Sequence, residues 1–440
     1  MRYVPTSDAD REAMLSTIGL HSLDELFSDI PAEILERNEP LKLDPMSERE
    51  VAAEFARLAQ QNAAGRSFAS FQGGGVYDHY IPAIVPYILS RSEFATAYTP
   101  YQPEISQGTL TAMFEFQTMV CELTGMEVAN ASLYDGATAL AEAALLADRA
   151  RRRKRVAVSR ALFASAARVL RTYAWAAGIE LIELPIAPDG RTSFDDLPGD
   201  LSALIVQSPN AVGVIEDLRR VKGLIGDALL VVSVNPISLA ILEPPASIGA
   251  DVVVGEGQPL GLPRSFGGPL LGLFATREQF IRQMPGRIAG QTMDVDGQVG
   301  YTMTAQTREQ HIRRQRATSN ICTNSALCAL AATVFAASLG ADGLERMAQQ
   351  NTQRAHDLCH RLERIPGVSR TFSAPFFNEF TVCVPQDPSK IRLDLQTRGF
   401  LIDDPDELRS LGIDHAIRIA VTENRTDEEL EQLACVLEEA

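Results

Sequence analysis

Lysine is almost missing from this chain. Its 440 residues hold four, Lys42, Lys154, Lys222 and Lys390, while arginine makes up the remaining 36 of 40 basic residues. Chemistry that needs an amine nucleophile therefore has few places to sit. The six cysteines, at 121, 322, 328, 359, 383 and 435, form no CxxC pair, which removes the usual thiolate metal sites and dithiol redox motifs. Histidines are also few, six in all. His356 and His360 stand at i, i+4, but no third ligand or HExxH glutamate accompanies them, so no metal is expected. A basic surplus is absent too. The net charge is −17, which argues against nucleic acid or an anionic membrane as the main partner. The longest apolar stretch, Cys328 to Ala341, is interrupted by Thr333 and Ser338 and reads as too short for a bilayer. The N-terminus MRYVPTSDADRE meets a proline and acids where a secretory segment would begin, so a cytoplasmic protein with reduced thiols is expected.

What is present is an ordinary globular composition, 45% hydrophobic, on a chain long enough for more than one domain. Residues 1–105 read as an N-terminal helical segment followed by an extended arm. Ser47 to Glu50 forms a capping box, and Val51, Phe55 and Leu58 then define an amphipathic helix that stops near Gly65. From 66 to 105 three consecutive glycines (73–75), four prolines and five tyrosines predict an irregular arm. Residues 106–305 alternate helix and strand, as a mainly parallel α/β sheet demands. Ser106 is placed to cap a helix ended by Gly125. Helices follow at 136–150, 164–177 and 216–225, with strands at 156–158, 179–184, 203–206, 229–234 and around 252 and 271. Residues 306–440 read as a smaller α+β domain. Its helices are expected at 308–316, 322–338, 342–362, 388–398 and 426–438, and its strands at 378–384 and 416–420.

Several turns carry chemistry-bearing side chains. Tyr134-Asp135-Gly136-Ala137-Thr138 joins a strand to a helix start, where free N–H groups suit an anion such as a phosphate; a plain helix cap at Asp135 is the simpler reading. Gln207-Ser208-Pro209-Asn210 is either a ligand-facing loop at the sheet's carboxyl edge or a simple turn. The basic run Arg149 to Arg155 reads as a solvated helix end. Tyr98, Tyr101, Glu104, Ser106 and Gln107 crowd a proline-stiffened approach to one helix start. Residues 248–276, IGADVVVGEGQPLGLPRSFGGPLLGLFAT, give a strand, a polar loop and a second strand. This segment resembles aminotransferase-like enzymes that use pyridoxal phosphate, in which that loop carries the Schiff-base lysine. Here it offers Glu256, Gln258 and Pro259. Such enzymes also place an aspartate near the end of an earlier strand to hold the pyridinium nitrogen. Here Val234 and Asn235 stand there.

Over nearly its whole length the sequence resembles the first subunit of the two-subunit glycine cleavage system P-protein family. The resemblance rests on FQGGGVYDHYIPAIVPYIL, YTPYQPEISQGTL, ASLYDGATALAEAALLA, VQSPNAVGVIED, ADVVVGEGQPLGLPRSFGGPLLG, MPGRIAGQTMDVDG and TREQHIRRQRATSNICTN. Arg160-Ala161-Leu162 departs from the His-Pro-like turn the family leads one to expect. The resemblance implies a fold type I pyridoxal-phosphate architecture, and a partner, glycine dehydrogenase subunit 2, that supplies the lysine and holds the cofactor, in an α2β2 heteromer. It implies decarboxylation of glycine, with the aminomethyl group passed to the lipoyl arm of the H-protein. It further implies that Tyr98, Tyr101, Glu104, Ser106 and Gln107 line the active pocket in trans, with a relic anion site at Asp135, Gly136, Ala137 and Thr138. Two other readings stay open: a self-contained enzyme using Lys222, and a structural or regulatory pseudoenzyme.

Overall fold

The computed structural model describes residues 5–37, 42–63, 68–219 and 221–439. Two compact units are present, residues 1–63 and 64–440. In the first, capping boxes at Ser7/Asp10 and Ser47/Glu50 start helices Asp8–Thr17 and Glu48–Ala59. Val51, Phe55 and Leu58 do share a helical stripe, and all three are exposed. The helix ends at Ala59, and Gly65 lies outside the described residues.

In the second unit the strands, numbered along the chain, are β1 (Ala69–Ser70), β2 (Val128–Ala129), β3 (Arg155–Ser159), β4 (Glu180–Leu184), β5 (Ala203–Ser208), β6 (Leu229–Val234) and β7 (Val252–Glu256). They continue as β8 (Gly272–Thr276), β9 (Ile288–Met293), β10 (Val299–Thr304), β11 (Ser369–Arg370), β12 (Glu379–Cys383), β13 (Phe400–Leu401) and β14 (Ala416–Ala420). The main sheet has the order β2-β8-β7-β6-β5-β3-β4. From β7 to β4 every pairing is parallel, and β8 runs antiparallel to both neighbours. Strands β5, β6 and β7 are apolar throughout most of their length because both faces are covered, the pattern that parallel sheets require. One buried layer joins Leu204, Leu230 and Val253 to Phe335 and Ala332 of the long helix; the other joins Ile205, Val231 and Val254 to Leu140 and Ala143 of helix Gly136–Arg151. A separate antiparallel sheet, β11-β12-β14, packs Phe380, Ile417 and Ile419 against Leu358 and Leu433.

Helix Ala164–Ala177 and strands β6 and β14 fall where the sequence places them. Five expectations need correction. The arm is not structureless: its described residues contain β1, paired in parallel with β13, and helices Ile84–Leu89 and Ser92–Ala95. Ser106 precedes helix Gln107–Thr124, but its side chain makes no capping bond. The helix expected at 216–225 shrinks to Val221–Leu224, because Glu216 turns inward to accept hydrogen bonds from Thr192 and Asn210. The helix expected at 308–316 is broken into short turns by the extended backbone of Glu309 and by Arg314, where φ is 52°. The hairpin β9–β10, six residue pairs long, went unread. The helices expected at 322–338 and 342–362 form one element, Ala326–Leu362, kinked at Gly340 where φ is 64°. By length and composition that element could cross a membrane, but half of its most apolar window is buried inside the fold.

Candidate functional site

Open α/β sheets hold ligands outside the carboxyl ends of their strands. Here a cavity of about 260 Å³ lies at that edge, walled by Gln207 of β5, Val234 and Asn235 at the end of β6, Glu256 of β7, and Phe163. Asp135, Gly136 and Ala137 close it from one side, and Gly74, Gly75 and Tyr77 of the arm from another.

The turn that would seat a phosphate is filled from within. The Gly136 N–H donates to Glu256 Oε2 at 2.9 Å, and the Thr138 N–H to Asp135 Oδ1 at 2.7 Å. Glu256 Oε1 also accepts from the N–H groups of Gln258 and Leu271, at 2.9 and 3.0 Å. Burial pushes the Glu256 carboxyl up to about 7, while those three N–H donors pull the other way. Gly136 permits this approach, since a Cβ there would lie 2.7 Å from the Glu256 nitrogen. The geometry makes Asp135 a helix cap, and the neighbouring Gly136 N–H faces the chain's own Glu256 carboxyl.

The arm packs against a second group of acids, which the C-terminal part of the chain supplies. Arg418 of β14 pairs with Glu379 and Asp403 at 2.9 Å each, and with Glu407 at 2.7 Å. Burial opposes the Arg418 charge, but Asp403, Glu379 and Glu407 together hold it more firmly protonated than usual. Gly74 N–H and the Tyr77 hydroxyl donate to the two oxygens of Glu379, at 2.9 and 2.8 Å. Burial and the neighbouring Glu379 raise the Tyr77 phenol well above its ordinary range. The glycine triplet makes the approach feasible: a Cβ at Gly73 would stand 2.2 Å from Glu379 Oε1.

These residues do not fit pyridoxal phosphate. Pro259, where an amine is needed, lines the cavity, and Gln258 is spent on structure, bonding to both backbone groups of Tyr77 and to the Leu262 carbonyl. Asn235 offers a buried amide nitrogen with no partner, a donor where a pyridinium N–H would need an acceptor. The helix start that would seat the phosphate is already occupied by the Glu256 carboxyl. Lys222 is no substitute, as its ammonium is held by Asp251 and the Ala228 carbonyl. The Gln207 amide accepts from the Phe163 N–H at 3.1 Å, so that loop does face the cavity, whereas Asn210 is a buried structural brace.

The 98–107 block does not line this cavity. Tyr98, Tyr101 and Glu104 are exposed, and Ser106 is partly buried. Gln107 clamps both backbone groups of Tyr301 in β10, accepting from its N–H and donating to its carbonyl, each at 2.8 Å. Beside the block lies a residue that sequence reasoning missed. Arg287, only 3% exposed, donates from one guanidinium nitrogen to the hydroxyls of Thr99 and Thr323, at 3.1 Å each, and from the other to Tyr101 at 3.4 Å. Its Nε has no partner. The MPGR segment offers no local signal for this, because the partners come from distant loops. His356 is likewise committed, stacked on Phe376 at 3.9 Å with Nε2 at 3.0 Å from the Phe376 carbonyl.

Comparison with known proteins places this geometry. The family model "Glycine cleavage system P-protein" matches residues 1–437. A probable glycine dehydrogenase (decarboxylating) subunit 1 of Moorella thermoacetica is 47% identical, with 99% of each chain covered. A solved glycine decarboxylase (P-protein) of the glycine cleavage system, in inhibitor-bound form, superposes with a TM-score of 0.92 at 43% identity over 100% of both chains. A sphingosine-1-phosphate lyase of Burkholderia pseudomallei K96243, 16% identical, shares the fold with a TM-score of 0.66 over 93% of this chain and 94% of its own. The architecture is fold type I. Matched over residues 1–437 by the family model and along 99% of its length by a relative 47% identical, this chain belongs to the glycine cleavage system P-protein family.

Proposed function

We propose that this chain is the half of a heteromeric glycine dehydrogenase (decarboxylating) that carries no cofactor. A partner subunit of the same fold supplies the lysine and holds pyridoxal phosphate, and the heteromer is an α2β2 assembly in the cytoplasm. The cofactor provides the electron sink for loss of carbon dioxide from glycine. The remaining aminomethyl group passes to the lipoyl arm of the H-protein. This chain contributes the far wall of the reaction pocket. Tyr98, Tyr101 and Glu104 reach across to the substrate, with Ser106 and Gln107 at the helix start, and the closed assembly excludes water.

The observation that carries this reading is the filled phosphate seat, the Glu256 carboxylate on the Gly136 N–H. A second supports it: the stripe Val51, Phe55 and Leu58 is exposed on an otherwise well-capped helix, as a chain made for an apolar interface would leave it. The test is reconstitution. Release of carbon dioxide from carboxyl-labelled glycine, with lipoylated H-protein present, should require both subunits. After borohydride reduction, the cofactor should be fixed to the partner only. Equal turnover by the partner alone, or a stoichiometric adduct on this chain, would refute the reading.

A further inference from the structure

The buried arginines of this protein are neutralised in two ways, and Arg287 follows neither. Arg418 and Arg425 pair with carboxylates. Arg308 has no carboxylate on its guanidinium but is wrapped by the carbonyls of Ala305, Met284 and Gly286. Arg287 has three hydroxyl oxygens and an unpartnered Nε, with no carboxylate within 4.0 Å among the described residues. A buried charge held this loosely is costly unless something completes it.

The surroundings are built for a guest. The guanidinium is a planar fork that matches a carboxylate with two parallel bonds. Hydroxyls can rotate to donate to an incoming anion as readily as they accept from the arginine. The frame behind them is stiff. Asn130 Nδ2 holds the Pro285 carbonyl at 3.0 Å, and the Ala131 N–H donates to the Arg287 carbonyl at 2.8 Å. The Tyr134 hydroxyl accepts from the Cys322 N–H at 3.0 Å, and Asn324 donates to the Ala131 carbonyl at 2.8 Å, which fixes the loop bearing Thr323. The front is soft: Tyr101 is 56% exposed, and its ring centre lies 5.6 Å from the guanidinium carbon.

We propose that Arg287, with the hydroxyls of Thr99, Tyr101 and Thr323, is a carboxylate receptor that is completed in the heteromer. This rests on the reading of the 98–107 block as part of the shared pocket. The carboxylate comes either from the amino-acid substrate or from a side chain on the partner's opposing face, and one variant separates the two. Arg287→Met is assembled with the partner, and three quantities are measured: KM and kcat for glycine, the inhibition constant of methylamine, which lacks the carboxylate, and the subunit dissociation constant by sedimentation. If the guest is the substrate, the glycine KM rises about 10- to 150-fold, with methylamine inhibition and association unchanged. If it is a partner side chain, association weakens by a similar factor and the glycine KM of the saturated complex stays put. Either outcome supports the receptor. Wild-type values in all three overturn it. Should Arg287→Met fail to fold, Arg287→Lys keeps the charge but not the fork, and must still shift one of these constants about tenfold or the idea falls. Failure of the wild-type complex to turn over glycine would instead refute the proposed function itself.

Discussion

Two charged regions of this molecule are built on opposite plans. On and beside the cavity wall acids outnumber bases: Glu256 and Asp135 accept from backbone N–H groups at the helix start, while Glu379, Asp403 and Glu407 share the single guanidinium of Arg418. At Arg287 a cation sits among hydroxyls with no acid against it. The first region is complete within the chain and has no need of a guest. The second is incomplete and has a place for one. The self-satisfied group and the unmet one thus lie on different loops of the same fold.

The comparison can be broken most sharply at the cavity. Mixed with pyridoxal phosphate, the isolated chain should show no internal-aldimine absorption band, and borohydride should leave none of its four lysines modified. A visible band that survives dialysis would mean that the cavity is not closed to anions after all.

A second contrast sets two arginines against each other. Arg418→Met strands buried carboxylates without their counter-charge and should destabilise the chain by about 3–5 kcal/mol in urea melts. Arg287→Met removes only bonds to hydroxyls and relieves an uncompensated charge, so its cost should stay below about 2 kcal/mol. Equal losses would erase the distinction between the two regions.

The third contrast is in pH. The Glu256 carboxyl lies at about 7 in the folded chain against an ordinary 4.5. A raised carboxyl pKa stabilises the fold fully below the unfolded value and loses that contribution as pH rises through the folded one. Stability from this group should therefore fall by about 3 kcal/mol between pH 4.5 and pH 8. Glu256→Gln should flatten that slope, and an unchanged pH profile in the variant would mean that Glu256 stays ionised throughout.

The last contrast belongs to the exposed block. Glu104→Gln or Tyr101→Phe in the reconstituted complex should lower glycine turnover per bound cofactor about 10- to 150-fold, through one lost hydrogen bond to a charged group in the transition state. Assembly should be intact. Normal turnover in both would remove the block from the reaction pocket.

What could be read from sequence follows the range of the forces involved. Helix Ala164–Ala177 needed only its own periodicity and Gly178, and β14 only its neighbours in the chain. The missing amine and the Val234-Asn235 defect were legible for the same reason, since each is a local substitution. Glu256 stood in plain view, but its purpose depends on Gly136, 120 residues away. Arg287 depends on Thr99 across 188 residues and on Thr323 across 36, and no short motif encodes such a meeting. The helix expected at 216–225 failed through another long reach, Glu216 to Thr192. Long-range polar pairing, rather than hydrophobic patterning, set the limit.

The Glu256 bridge also makes this helix start hard to convert into a phosphate site. A lysine placed in the 256–259 loop would find its phosphate seat taken, so that change alone gains nothing. Removing Glu256 first would leave the N–H groups of Gly136, Gln258 and Leu271 buried and unpaired, at about 1–3 kcal/mol each. A phosphate site here therefore needs both changes at once. The bridge acts as a ratchet tooth: with the Glu256 carboxyl on that helix end, neither change alone opens the seat.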